Sequence, residues 1–261
     1  MKFPEEHAPE AFSRFENGET KAIVLSKGAA SIADALLRGK NCVSLDIIGR
    51  GTVASFPWLG DRQGILRKYR RGGLARFLVH DRFILANRPL HEFRVHNAVQ
   101  QMGIPVPRLL GVCWRRNGIF YSGALATEKA DGPDLHDWLL SVSDETEERF
   151  RVLGKCGVLI RQMHDAGVTH GDLQVKNILI TSKGPLLIDF DAAKIDPWLK
   201  QWRRECNLLR LRRSFLKRGH ENDCFEALLA GYGQVKFHRV LNIFYSVRGY
   251  VSDRISSWSK P

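Results

Sequence analysis

One ordered set of residues limits the folds open to this chain more than any other feature. It begins with His170-Gly171-Asp172 and reaches Asn177 five residues after the aspartate. Two short strand-like runs, 178–180 and 186–188, follow, and Asp189-Phe190-Asp191 comes directly after the second. Each piece alone occurs by chance, but the complete order is specific. It predicts a polar loop, a hairpin and a second acidic loop.

The polar residues of this set suit phosphoryl transfer with magnesium. Such a reaction needs an aspartate beside the attacking hydroxyl and ligands for the metal that neutralises the phosphates. We expect Asp172 to orient the hydroxyl and accept its proton, and Asn177 to ligate one metal ion. Asp189 is expected to bridge the metal ions and the phosphates, because hard oxygen ligands suit Mg²⁺.

This order resembles that of the protein-kinase-like superfamily. Gly171 stands where protein kinases carry Arg, which is typical of the small-molecule and lipid-linked branches. The resemblance implies an α+β, bilobal protein-kinase-like fold, with a small antiparallel-sheet N-lobe and a mostly helical C-lobe. It also implies an enzyme that uses ATP and magnesium.

The pattern along the chain predicts the same two lobes. Residues 41–130 contain short apolar runs broken by glycine, and we assign them to the N-lobe. The turn-rich stretch 130–133 is the predicted hinge, and residues 131–261 carry mostly helical signals. Residues 1–40 are assigned to an N-terminal extension with a short helix over Ser31–Arg38. A cleft between two lobes is the default ligand site.

The resemblance assigns ATP-binding roles within the N-lobe. Gly49 and Gly51 follow a predicted strand, so their backbone amides can approach phosphates, although turns use glycine constantly. Glu92, on a helix predicted over Arg88–Met102, stands where the family places the carboxylate that pairs with a strand cation. Glu128 precedes the hinge, where the family uses the backbone to bind adenine.

Two neighbouring cations compete for the role of phosphate anchor. Lys68 and Arg67 lie in the predicted strand 64–69, so their side chains must point to opposite faces and only one can enter the cleft. Residue type favours Lys68, whereas alignment on the following Tyr-Arg-Arg-Gly-Gly favours Arg67. We predict Lys68 and keep Arg67 as the alternative.

A narrower resemblance covers roughly residues 45–235. The chain is similar there to the lipopolysaccharide kinase family, and specifically to its branch that phosphorylates 3-deoxy-D-manno-octulosonic acid (Kdo). The matching segments are Leu66–Leu74, Glu92–Arg94, Gly103–Pro107, His170–Leu173, Leu187–Asp191 and Asn207–Ser214. Gln174-Val175-Lys176 and Ala192-Ala193 depart from the usual pattern of that family.

The resemblance implies a substrate and a location. Kdo kinases phosphorylate the 4-OH of the Kdo sugar joined to lipid A, using ATP at the cytoplasmic face of the bacterial inner membrane, in lipopolysaccharide core biosynthesis. The implied partners are therefore Kdo-lipid A and the anionic surface of the inner membrane. The implied localisation is cytoplasmic and peripheral on that membrane.

The charge distribution suits such a substrate. The chain has 40 Lys and Arg against 28 Asp and Glu, a net charge of +12. Two segments, 62–88 and 200–218, each hold eight basic residues and one acid, which predicts an anionic partner. Arginine forks bind carboxylates and phosphates, so the predicted substrate residues are Arg70, Arg71, Arg210, Arg212 and Arg213. We expect no nucleic-acid binding, because no motif for it is present.

The remaining features of the sequence indicate the cellular compartment and leave two alternative functions open. Five cysteines without a C-x-x-C pair suggest small buried residues in a reducing compartment. We expect neither a secretory signal nor a membrane span. The first alternative is a kinase of core heptose or another small-molecule phosphotransferase. The second is a non-catalytic, kinase-like basic membrane scaffold, which would not need Asp172, Asn177 and Asp189.

Overall fold

The computed structural model describes residues 11–45, 53–69, 87–118, 120–142, 146–235 and 237–238. The chain divides into two compact units. The sheet unit comprises Met1–Gln100 and Pro107–Lys129, and the helical unit comprises Gln101–Val106 and Ala130–Pro261.

The sheet unit is built on an antiparallel sheet. Its strands are β1 (Phe12–Asn17), β2 (Thr20–Leu25), β3 (Val43–Leu45), β4 (Val53–Leu59), β5 (Arg62–Lys68), β6 (Leu109–Asn117) and β7 (Phe120–Glu128). Among the described residues they form one sheet in the order β1-β2-β6-β7-β5-β4-β3. The central position of β6 and β7 depends on pairings with β2 and β5, which are distant in the chain.

Two helices, α1 (Ala29–Arg38) and α2 (Arg88–Gln101), supply apolar residues to separate cores of this unit. Ile32 of α1 belongs to a buried cluster with Trp58 and Leu66. Phe93 of α2 belongs to a different cluster, against which Tyr69 packs. Successive residues of an extended chain alternate between faces, so Leu66 of β5 lies in one cluster and Tyr69, directly after β5, packs against the other.

The first strands of the sheet come from the segment that the sequence analysis assigned to an extension. β1 and β2 pair with each other, and β2 also pairs with β6. Asn17 and Thr20 close a two-residue turn in which Gly18 has a φ of 58°, a backbone conformation that favours glycine. Sequence analysis predicted neither strand. It did predict the helix that follows, which begins earlier than expected, at Ala29.

The helical unit contains most of the remaining elements. They are α3 (Leu135–Ser141), α4 (Glu147–Asp165), β8 (Val168–Thr169), a 3₁₀ turn (Val175–Asn177), β9 (Ile178–Thr181), β10 (Gly184–Leu187), β11 (Lys194–Ile195), α5 (Gln201–Lys217) and α6 (Asn222–Tyr232). Side-chain caps start two of the helices, since Asp134 accepts a hydrogen bond from the Asp137 amide and Thr146 accepts one from the Arg149 amide. The antiparallel sheet together with these helices confirms the predicted α+β class.

The predicted hairpin is formed by β9 and β10, which pair in antiparallel fashion from Gly184↔Thr181 to Leu187↔Ile178. At its open end, the Ile188 amide donates to the Asn177 carbonyl over 3.0 Å. The hairpin therefore brings Asn177 close to the residue that precedes Asp189. None of the described helices is long and apolar enough to cross a membrane.

Candidate functional site

In the sheet unit, a buried carboxylate holds a strand cation. Glu92 on α2 has a side chain only 1% exposed, and Nη2 of Arg67 donates to both of its oxygens over 2.5 Å. The hydroxyl of Tyr69 donates to the same carboxylate, and the Arg67 guanidinium lies 5.2 Å from the Tyr69 ring centre. Glu92 thus pairs with a cation of β5, the contact that the resemblance implied for it.

The cation in this pair is Arg67, the alternative kept in the sequence analysis, and not Lys68, while the choice of phosphate anchor stays a prediction. Strand alternation places Arg67 with Tyr69 on the α2 side of β5, whereas Lys68 shares the α1 side with Leu66. Burial raises the pKa of the Cys113 thiol, and the charge of Lys68 partly opposes that rise, which places Lys68 near the α1 cluster. The Lys68 side chain is exposed there.

For the other predicted ATP-binding residues, the structure gives contacts for Glu128 alone. Glu128 ends β7, where its amide donates to the Arg108 carbonyl over 2.8 Å and its carboxylate lies 3.5 Å from Nη1 of Arg62. Its role at adenine stays a prediction. Four other predicted site residues, Gly49, Gly51, Arg70 and Arg71, lie outside the described residues.

In the helical unit, His170 organises the polar loop. Its ring is fully buried, and burial lowers the pKa of this histidine. The Asp172 amide donates to Nδ1 over 3.1 Å, so Nδ1 is the acceptor and Nε2 carries the proton that is donated to the Ile188 carbonyl over 2.9 Å. One neutral imidazole therefore connects the residue before Asp189 with the backbone of Asp172.

The Asp172 side chain, in contrast, is open to solvent. It is 58% exposed, and its Oδ2 accepts a hydrogen bond from Nε2 of Gln174 over 2.6 Å. Nη1 of Arg210 lies 3.9 Å from its Oδ1. Because the backbone of Asp172 is held by His170 and its carboxylate is exposed, the loop presents this carboxylate to solvent at a fixed position.

Asn177 and Asp189 fit the magnesium role chemically. The Asn177 side chain is buried, and its Nδ2 donates to the Asp172 carbonyl over 2.8 Å, which leaves Oδ1 as the atom suited to a metal. Asp189 adopts a left-handed backbone with a φ of 69°, a conformation that occurs preferentially at functional sites in non-glycine residues. An amide oxygen and a carboxylate are the kinds of ligand that Mg²⁺ takes when nucleotide phosphates complete its shell.

A buried asparagine of α5 holds the same loop from behind. Nδ2 of Asn207 donates to the His170 carbonyl over 3.0 Å, while its Oδ1 accepts from the His170 amide over 2.9 Å. The same Oδ1 accepts from Nε2 of His164 over 3.3 Å, and the Tyr232 hydroxyl donates to Nδ1 of that ring over 2.9 Å. Burial lowers the pKa of His164 to about 4, so this ring is neutral near pH 7. α4, α5 and α6 thus fix the position of the loop together.

The glycine of the His-Gly-Asp motif is required by close packing. A Cβ atom added at Gly171 would lie 2.3 Å from both the carbonyl oxygen and the Cβ of Ala192. Real Cβ atoms essentially never approach backbone so closely. The segment after Asp189-Phe190-Asp191 therefore lies directly against the loop, and there is no room at position 171 for the Arg that protein kinases carry.

Two of the three arginines predicted to face substrate on α5 lie beside the base. Arg210 and Arg213 line a cavity of about 430 Å³ together with Asp172. Arg212 is not among the lining residues, and its Nε donates to Oδ1 of Asn222 over 3.2 Å.

Sequence reasoning missed other residues of this cavity. Its remaining lining residues are Gln174, Ser214, Lys217 and Arg218. The available signal was helical spacing, because positions three, four, seven and eight after Arg210 fall on one face of a helix. Nothing local in the sequence revealed the role of Asn207, since its partners lie 37 and 43 residues away.

Comparison with known proteins agrees with this architecture. The model of the lipopolysaccharide kinase (Kdo/WaaP) family matches residues 47–232. A 3-deoxy-D-manno-octulosonic acid kinase of Vibrio vulnificus is 38% identical over 209 residues, which is 75% of this chain and 85% of that protein. A kinase of the same name from Vibrio cholerae is 38% identical over 177 residues, and the match covers 72% of that protein. Another, from Xanthomonas euvesicatoria, is 33% identical over 230 residues, and the match covers 86% of that protein.

A solved structure confirms the kinase-like fold. WaaP in complex with acyl carrier protein matches this chain with a TM-score of 0.55. The match covers 87% of this chain and 91% of the WaaP chain at 14% sequence identity. At that identity the likeness concerns the fold alone.

Proposed function

Because this chain belongs to the lipopolysaccharide kinase (Kdo/WaaP) family, we propose that it transfers the γ-phosphoryl group of ATP to the 4-hydroxyl of the Kdo sugar in Kdo-lipid A. This reaction is a step of lipopolysaccharide core biosynthesis. The observation that carries the chemistry is the exposed carboxylate of Asp172 on a loop whose backbone is fixed from both sides. Kinases use an aspartate in this way to receive the proton of the substrate hydroxyl.

In the proposed reaction, Asp172 is the base. The 4-hydroxyl oxygen forms a bond to the γ-phosphorus while the bond from that phosphorus to the leaving ADP oxygen breaks. The hydroxyl proton passes to the Asp172 carboxylate. Gln174 holds one carboxylate oxygen, and Oδ1 on the side of Arg210 remains for the substrate hydroxyl.

We propose residues for the nucleotide and for its metal separately. Asn177 and Asp189 would hold Mg²⁺, which when bound neutralises phosphate charge. We assign the phosphate anchor to Arg67, because Glu92 holds its guanidinium in one orientation while the Arg67 side chain keeps 27% of its surface exposed. Gly49, Gly51 and Glu128 are proposed to contact ATP through their backbones.

A membrane surface is the second proposed partner, on the cytoplasmic face of the inner membrane. Two tryptophans near the start of α5 are exposed, Trp198 by 87% and Trp202 by 47%. Lys200 lies between them in the chain, and the Arg203 guanidinium lies 5.2 Å from the Trp202 ring centre. Exposed tryptophans beside basic residues are typical of the interfacial zone of anionic bilayers.

The membrane proposal has a direct test. We expect the chain to sediment with vesicles that contain anionic phospholipid and to bind vesicles of neutral phospholipid far less. A Trp198→Ala, Trp202→Ala double variant should lose about tenfold or more in affinity, because two interfacial aromatic side chains are removed. Unchanged binding by the double variant would contradict this assignment.

The catalytic proposal is tested with purified chain, ATP, magnesium and Kdo-lipid A. We expect one added phosphate, located by mass spectrometry and NMR on the 4-oxygen of the sugar. An intact heptose-containing core without a free Kdo 4-hydroxyl serves as the control acceptor. Phosphate on heptose, or no product from either acceptor, would reject the proposed activity.

A further inference from the structure

The cavity beside Asp172 has the composition of an anion site. Four cations line it, namely Arg210, Arg213, Lys217 and Arg218, against the single carboxylate of Asp172. We propose that this cavity binds the C1 carboxylate of Kdo, so that it selects the acceptor and positions the 4-hydroxyl at Asp172. This inference rests on the proposed function and assigns the acceptor-binding residues that determine its specificity.

The size and shape of the cavity suit a sugar acid. Its volume of about 430 Å³ lies within the range of small-molecule sites, about 300–1,000 Å³. The cationic residues come from the last two turns of α5 and its C-cap, Arg218, at a spacing that gathers them on one face. A rigid helix therefore presents these charges as a fixed group.

Two of the cations that line the cavity, Arg213 and Lys217, form no ion pair within the described part of the chain. The helix C-terminus adds a partial negative charge of only about half an elementary charge, which four full positive charges outweigh. An anionic group of the substrate would supply the missing counter-charge.

The cavity wall is connected to the catalytic loop. The buried hydroxyl of Ser214 accepts a hydrogen bond from the Val175 amide over 3.1 Å, and Nη1 of Arg218 donates to the same oxygen over 3.4 Å. Val175 opens the 3₁₀ turn that follows Asp172 and Gln174. An anion held by these cations is thereby set at a fixed distance from the base.

The covalent structure of Kdo favours its own carboxylate, rather than a lipid A phosphate, as the group bound in this cavity. In this eight-carbon acid, C1 is the carboxylate and C4 carries the reacting hydroxyl, so the two groups belong to one sugar. Arg210 already lies 3.9 Å from Asp172, and Arg213 is its neighbour on the same helix face. A hydroxyl at Asp172 therefore places the carboxylate of its own ring among these arginines, whereas the phosphates of lipid A belong to other sugars.

The test compares Arg213→Ala with its neighbour Arg212→Ala on Kdo-lipid A. We expect Arg213→Ala to raise the KM for the acceptor about tenfold to a hundredfold, because a charge-assisted hydrogen bond is lost. The KM for ATP should change less than about twofold in both variants, and Arg212→Ala should change the acceptor KM by less than about threefold. Thermal unfolding of both variants should match that of the unchanged chain.

A modified acceptor separates the two anionic groups. When the sugar carboxylate is converted to its methyl ester, the KM of the unchanged chain for the acceptor should rise about as much as Arg213→Ala raises it for the acid. The same esterification should raise the acceptor KM of Arg213→Ala little further. If Arg213→Ala instead loses its sensitivity to removal of the lipid A phosphates, the carboxylate assignment is overturned. Equal acceptor KM values for Arg213→Ala and the unchanged chain also overturn it, while leaving the proposed activity intact. Failure of the unchanged chain to phosphorylate Kdo-lipid A would reject the activity itself.

Discussion

Two carboxylates of the candidate site, one in each unit, face an arginine, and they differ in exposure. In the sheet unit, the Glu92 side chain is 1% exposed and accepts hydrogen bonds from Arg67 and Tyr69. In the helical unit, the Asp172 side chain is 58% exposed, and Arg210 lies 3.9 Å from it. The first carboxylate is enclosed by its partners, and the second is available to solvent and substrate.

The difference has an energetic meaning. Removing one partner of a buried ion pair leaves an uncompensated charge and destabilises a protein by about 3–5 kcal/mol, so such a pair acts as fixed framework. An exposed pair contributes only about 0–1 kcal/mol and can exchange one partner for a ligand. We infer that Glu92 positions Arg67, whereas Asp172 does chemistry.

The largest expected effect tests whether the exposed carboxylate of Asp172 acts as the general base. Asp172→Asn should lower turnover on Kdo-lipid A at least ~10²-fold, as expected when a general base is lost. Stability should hardly change, because the backbone of Asp172, and not its carboxylate, bonds to His170 and Asn177. Steady-state kinetics and thermal unfolding measure the two quantities. Glu147→Gln, an exposed acid at the start of α4, is the control, and near-normal turnover in Asp172→Asn would remove the base assignment.

A smaller effect tests whether Arg67, held by the buried Glu92, anchors the phosphates of ATP. Arg67→Ala should raise the KM for ATP about tenfold or more, since a hydrogen bond to a charged group is lost. Lys68→Ala, on the opposite face of β5, should change it less than about twofold. Arg67→Lys, which keeps a positive charge beside Glu92, should recover part of the loss and so separate anchoring from misfolding. A larger effect of Lys68→Ala than of Arg67→Ala would restore Lys68 as the anchor.

The smallest expected effect is a decrease in the free energy of unfolding at low pH, to which one buried histidine of each unit contributes. Burial lowers the pKa of His96 in the sheet unit, and of His164 in the helical unit, from 6.5 to about 4. As the pH falls below about 6.5, the unfolded chain takes up protons that the folded chain excludes, so the free energy of unfolding decreases toward pH 4. The decrease is about 1 kcal/mol per histidine by pH 6.

Urea denaturation at pH 7.5 and pH 6 measures this decrease. In the folded chain, Nε2 of His96 donates to the Pro107 carbonyl over 2.7 Å. His96→Gln keeps a donor for that carbonyl but does not titrate, so its loss of stability should be smaller by about 1 kcal/mol. An identical loss in the variant and the unchanged chain would show that His96 does not contribute.

The elements predicted best are those with local signals. The helix over Arg88–Gln101 and the β9–β10 hairpin follow from apolar spacing and turn residues close in the chain. The strands β1, β2 and β6 were not predicted. β6 lies in the sheet between β2 and β7, and its pairing with β2 joins residues far apart in sequence, for which no local pattern exists.

The candidate site divides in the same way. Asp172, Asn177 and Asp189 come from one loop and one hairpin, so their order in the chain already implies their proximity. Asn207 and Ser214 reach the loop from α5. Their roles depend on how that helix packs, and helix packing is decided by burial of surface that a single segment does not reveal.

By itself, the sequence determined the order of Asp172, Asn177 and Asp189 along the chain and two segments of concentrated positive charge. It also determined that Arg67 and Lys68 must point to opposite faces of a strand. Only the tertiary structure decided which of them meets a carboxylate, because that depends on the face against which α2 buries Phe93 and Glu92. Likewise, only the packing of α5 against the loop set Arg210 and Arg213, but not Arg212, around the cavity at Asp172.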